Sequence, residues 1–117
     1  MDDKIKLIYE RMQDYLRQVE KIERLCNEDA HISLIRETYT VLKNEIKNEA
    51  NFWDKVTNYE KANTFLKAFY IPAIMEGSAF GLEARVNGSK EEIQRSMFEL
   101  EYKLTKYKDH KEWIEYK

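Results

Sequence analysis

At 117 residues, 43% of them hydrophobic and 36% charged, the chain has the length of one domain and too much apolar material for a disordered polyelectrolyte. Twenty lysines and arginines stand against 22 aspartates and glutamates for a net charge of −2; both signs are spread along the whole chain, so no basic stripe suited to phosphates stands out and nucleic acid is disfavoured as a partner. Cys26 is the single cysteine, which excludes an internal disulfide and a thiolate-rich metal site and fits a reducing compartment.

The opening MDDKIKLIYERMQDYL carries acids where a signal peptide has a basic leader. From Ile5 onward Ile8, Met12, Tyr15, Val19, Ile22 and Cys26 recur at alternating steps of three and four. Glu, Lys, Arg and Gln fill most other places. That is a heptad seam, and it predicts a helix over residues 3–26. Asn27 and Asp29 then favour a turn. After it Ile32, Ile35, Tyr39, Leu42, Ile46, Trp53 and Val56 resume the spacing, with Glu49 or Ala50 where an apolar residue is missing. The short connection predicts an antiparallel hairpin.

This second pattern runs on through Phe65, Leu66, Phe69 and Tyr70, predicting a helix over residues 30–70 or two helices if it breaks near 57–63, where Thr57, Asn58 and Asn63 compete with the helical backbone. Pro72, the single proline, suits a first helical turn and opens a third helix over 72–86. Ala73, Gly77 and Gly81 sit four apart there, a stripe of small residues that lets another helix, expected to be the long central one, approach closely. The least polar window, residues 65–82, contains Lys67 and Glu76 besides the proline and two glycines, so a membrane span is not expected. NGS at 87–89 ends the segment, and Ser89 with Glu92 matches a capping box. Ile93, Met97, Leu100, Leu104, Tyr107 and Ile114 draw a last helix over 90–115. The expected fold is an all-α, elongated antiparallel bundle of four helices, or five if the second breaks, forming one domain over 1–117 with coiled-coil-type seams.

Few groups promise chemistry. Glu28 and His31 are three apart and form the best metal candidate, but a carboxylate-bridged site in a bundle needs a second such pair, and His110 follows a tyrosine at 107 rather than an acid. Glu45, Glu49, Asp54 and Glu60 offer carboxylates along one helix, interleaved with Lys43, Lys47 and Lys55, which suit a mutually neutralised, solvated face. Ser33, Ser78, Ser89 and Ser96 lack a nucleophile elbow, and the glycines form no phosphate-binding fingerprint. The expectation is no enzyme, no cofactor and no metal.

Fifteen aromatic residues, eight of them tyrosine, are more suggestive, because rigid rings with a polar edge tolerate partial exposure at interfaces. Tyr59, Phe69, Tyr70 and Phe80 cluster around the proline, and Tyr102, Trp113 and Tyr116 decorate the last helix, with Phe98 also off its strict seam. Tyr59, Phe69, Tyr70, Phe80, Tyr102, Trp113 and Tyr116 read as an interaction surface for a protein partner or a second copy in a homodimer. The sequence therefore reads as a cytoplasmic interaction module, adaptor, inhibitor or small regulatory subunit. Its alternative is a small-ligand or metal-binding bundle with room left by Gly77 and Gly81 against Trp53, Phe69 or Phe80. Heavy use of lysine, isoleucine, asparagine and tyrosine suits an AT-rich coding genome such as that of a low-GC bacterium or its phage.

Overall fold

The first heptad seam becomes α1, Asp3–Asn27, with Ile8, Met12, Tyr15, Val19, Ile22 and Cys26 all buried. The computed structural model describes residues 3–55 and 66–106, and among them the protein is an all-α four-helix bundle without strands. α1 ends in a Schellman motif: the Ala30 amide donates to the Leu25 carbonyl at 3.0 Å and the Asp29 amide to Cys26 at 3.3 Å. Asp29 takes the left-handed conformation this requires, φ 54°, where an aspartate is tolerated because its short polar side chain relieves the clash of larger residues.

α2, Ile32–Asp54, buries Ile35, Tyr39, Leu42, Ile46, Glu49, Ala50 and Trp53. The gap that the sequence shows in this seam is therefore filled by both candidates, the acid included. The predicted break at 57–63 lies outside the described residues. Where the description resumes, Leu66–Tyr70 is a π-helical turn that runs directly into α3, Ile71–Phe80. Tyr70 stays helical at φ −73°, ψ −51°, with no capping bond, and Pro72 sits in the first turn. Proline cannot donate to a carbonyl one turn back and its ring crowds that carbonyl; a widened π turn accommodates both.

α3 is shorter than the 72–86 expected. It stops at Phe80, and residues 81–89 form an irregular connection in which Val86 is exposed and Leu82 and Ala84 are buried. The helical spacing of Leu82 and Val86 misleads because the backbone of this segment is satisfied from outside. The Tyr39 hydroxyl donates to the Ala84 carbonyl at 2.7 Å, Lys43 Nζ to the same carbonyl at 2.8 Å, and Arg36 Nε to the Gly88 carbonyl at 2.9 Å. The Ala84 amide donates to Ser96 Oγ at 2.9 Å. Lys47 Nζ donates to the Ser78 carbonyl at 2.8 Å, a cation placed on the negative end of α3. Lys43 thus serves this connection and Lys47 the end of α3, rather than neutralising Glu45 and Glu49.

α4, Lys90–Thr105, is capped by Ser89, whose Oγ accepts from the Glu92 amide at 3.2 Å, and buries Ile93, Ser96, Met97, Leu100 and Leu104. Side-chain pairings give the layout. Tyr15 meets Glu49 and Gln18 meets Glu45; Lys47 meets Ser78 and Arg36 meets Gly88; Lys106 meets Glu76. In each pairing of helices the number rises on one side as it falls on the other, so α1, α2, α3 and α4 alternate in direction, with α4 returning against α1 and α3. The molecule measures 43 × 29 × 19 Å.

The small-residue stripe packs on α4, not on the long central helix. A Cβ on Gly77 would lie 3.0 Å from Leu100 Cδ1, and one on Gly81 only 2.6 Å from Leu100 Cα. Ala73 is buried beside them. The room that a ligand would need there is filled by Leu100 and Leu104.

Candidate functional site

The most concentrated chemistry lies where α1, α2 and the π turn converge on Glu49. Its place in the apolar seam of α2 aims the carboxylate inward, one turn before Trp53, and the antiparallel register sets Arg11 and Tyr15 of α1 opposite. Tyr15 Oη donates to Glu49 Oε1 at 2.5 Å, Trp53 Nε1 donates to Oε2 at 3.1 Å, and Tyr70 Oη also donates to Oε2. Arg11 Nη1 completes the cage 3.5 Å from Oε1. The Tyr70 and Trp53 rings meet edge to face at 6.3 Å.

Only 8% of the Glu49 side chain is exposed. A carboxylate taken this far from water is tolerable when a cation and donors saturate its oxygens. The electrostatics agree. Burial, together with the hydrogen bond to Glu49 and its negative charge, pushes the Tyr15 hydroxyl far above the ordinary phenol value. Burial and the charge of Glu49 do the same to Tyr70. For Arg11, burial opposes the positive charge, but Glu49 and the Tyr70 hydroxyl outweigh it and hold the guanidinium above its ordinary value.

Outside this cage an open groove of about 650 Å³ is lined by Arg11, Asp14, Tyr15, Glu45, Asn48, Glu49 and Phe52. Two of its acids share one donor: Gln18 Nε2 donates to Asp14 at 3.1 Å and to Glu45 at 3.0 Å, while Glu49 faces its tyrosines. Among the described residues no group of three or more His, Cys, Asp or Glu side chains is arranged to hold a metal ion. The Glu49 carboxylate accepts from two phenols and an indole and so ties α1, α2 and the π turn together.

Glu28 and His31 fall on opposite sides of the α1–α2 turn. His31 is the N-cap of α2, its Nδ1 accepting from the Ser33 amide at 3.1 Å, so its lone pair is engaged in capping. Of the aromatic residues singled out in the sequence, Tyr70 is not surface: it is 1% exposed, drawn inward by Glu49. Phe69 is half-buried against the core. Phe80 and Tyr102 are 55% and 57% exposed, and Phe98 is 70% exposed. Lys103 Nζ lies 5.3 Å from the Phe80 ring centre and 5.6 Å from that of Tyr102, and Phe98 precedes Tyr102 by one turn of α4. Tyr59, Trp113 and Tyr116 lie outside the described residues, as do Asn58, Asn63 and His110.

The fold and this cage define a small four-helix bundle organised around a buried, saturated carboxylate. Comparison with family models, curated proteins and solved structures gave no match to the chain.

Proposed function

We propose that the protein is a non-enzymatic interaction module, an adaptor, inhibitor or small regulatory subunit of the cytosol, which binds a protein through the outer face of α3 and α4. The observation that supports this reading is the exposure of Phe80, Phe98 and Tyr102, each more than half in solvent. Large rings lose little conformational entropy on burial and supply much of the energy of interfaces, whereas the buried Glu49 carboxylate is already taken up by its donors. The partner is another protein or a second copy of the chain, and the test separates the two.

Light scattering on the purified protein establishes its oligomeric state. Affinity capture from native cytosol is then compared between the unaltered protein and Phe98→Ala and Tyr102→Ala variants. A complex, homomeric or heteromeric, that both substitutions weaken supports the proposal. A monomer that captures nothing, or a complex indifferent to both substitutions, overturns it.

A further inference from the structure

Three cations of α2 meet only neutral acceptors. Arg36, Lys43 and Lys47 follow one another at steps of seven and four, which sets them on one face of the helix over roughly 16 Å at about 1.5 Å per residue. Each reaches across to the segment that closes α3 and leads to α4. Lys47 Nζ donates to the Ser78 carbonyl and Lys43 Nζ to that of Ala84, both at 2.8 Å, and Arg36 Nε to that of Gly88 at 2.9 Å. A carbonyl takes up one N–H but does not neutralise the charge. No ion pair among the described residues includes any of the three. Glu83, the one acid of the connection over 81–89, lines a cavity against α4 with Glu92, Arg95 and Glu99.

All three residues are partly exposed. An ammonium carries three donors and a guanidinium five. One bond each leaves two N–H groups on either lysine and the terminal fork of Arg36, which is the geometry that grips a carboxylate with two parallel bonds. We propose that this stripe docks an acidic segment of a partner protein, whose carboxylates supply the counter-charge that the fold leaves out. Carboxylates suit it better than nucleic acid: the exposed Glu37 borders the stripe and the chain as a whole carries a net charge of −2, so a long polyanion would be repelled beyond the three cations. The stripe is independent of the aromatic face of α3 and α4 proposed above, and either can fail without the other.

The electrostatics agree with the geometry. Burial, and then the charge of Lys47, push the Lys43 ammonium below its ordinary value, as two like charges do when no acid lies between them. A carboxylate laid along the stripe relieves that repulsion. The backbone bonds also hold the three side chains in place before any partner arrives, so docking costs less side-chain entropy than it would on free lysines. In the sequence these charges are spread among acids; only the helical face and the returning connection gather them.

Fluorescence anisotropy of a labelled oligoglutamate peptide, titrated with the full chain, tests the stripe. Saturable binding is expected in low salt, weakening toward physiological ionic strength. Arg36→Gln, Lys43→Gln and Lys47→Gln are each expected to weaken it about threefold to fivefold, because glutamine keeps an N–H for the backbone carbonyl and removes the charge. Lys21→Gln, on the exposed side of α1, should leave it unchanged. Amide NMR on the unaltered protein locates the peptide without any substitution, with shifts expected at 36–47 and 78–88. Binding that is absent or does not saturate, that falls equally in Lys21→Gln, or that shifts amides elsewhere overturns the proposal. So does tighter binding of a single-stranded oligonucleotide of equal charge, which would assign the stripe to phosphates.

Discussion

Glu49 shows how one polar residue in an apolar seam can fix the register of three elements. An alanine or leucine at this position would bury as well, but neither would distinguish Tyr15 and Tyr70 from other rings or hold Arg11 at the groove edge. Removing the carboxylate leaves two phenols, an indole and a guanidinium without their acceptor. Glu49→Ala is expected to cost about 3 kcal/mol in chemical denaturation. Glu49→Gln, which keeps one acceptor oxygen, should cost less. The same cage sets an alkaline limit. The folded-state values of Tyr15 and Tyr70 are raised, so their contribution is intact below the unfolded phenol value of about 10 and declines above it, as the unfolded chain sheds protons that the native state retains. Stability measured from pH 9 to pH 11 should fall, and the fall should be shallower in Tyr15→Phe. A flat profile over that interval would contradict the cage.

At the level of elements, legibility in the sequence followed the source of each element's stability. α1 and α2 are held by apolar seams, and those seams could be read residue by residue from Ile8 to Cys26 and from Ile35 to Trp53. The place of Glu49 was visible as a gap, but its partners were not: Tyr15 looked like an ordinary seam residue and Tyr70 like surface, because hydrogen bonds between helices leave no periodic trace. The end of α3 at Phe80 departs from the spacing for a related reason. Leu82 and Val86 keep helical spacing, while the carbonyls of Ala84 and Gly88 are met by Tyr39, Lys43 and Arg36, donors more than forty residues away. The spacing of the α3 glycines predicts packing residues, and the helix they meet is α4 rather than α2; their two environments differ in a way that can be measured. A methyl on Gly77 meets the flexible end of Leu100, whereas one on Gly81 meets the Leu100 backbone. Gly77→Ala should fall within about 1 kcal/mol of the parent, since better helix propensity offsets a small clash. Gly81→Ala should destabilise by about 1–3 kcal/mol because α4 itself must move. Urea unfolding of the pair checks the order, and equal effects would show that the α3–α4 approach is looser than the structure has it.

At the scale of the molecule, the described residues put the Glu49 cage inside and leave the rings of Phe80, Phe98 and Tyr102 largely in solvent on α3 and α4. Two kinds of aromatic substitution should therefore behave differently. Tyr70 is buried against Glu49 and Trp53, so Tyr70→Ala is expected to destabilise the fold by about 3–5 kcal/mol, and any loss of binding it causes would report unfolding rather than an interface. Phe98 and Tyr102 project from α4 with most of their surface in solvent, so replacing both with serine should alter stability by no more than about 0.5 kcal/mol per site. Thermal melts supply the control, and light scattering with capture from native cytosol supplies the functional readout. If the double variant melts with the parent and yet loses its complex, the outer face of α4 carries the interaction. If it melts with the parent and keeps the complex, the docking surface must lie elsewhere, and the exposed rings of α4 are ordinary surface.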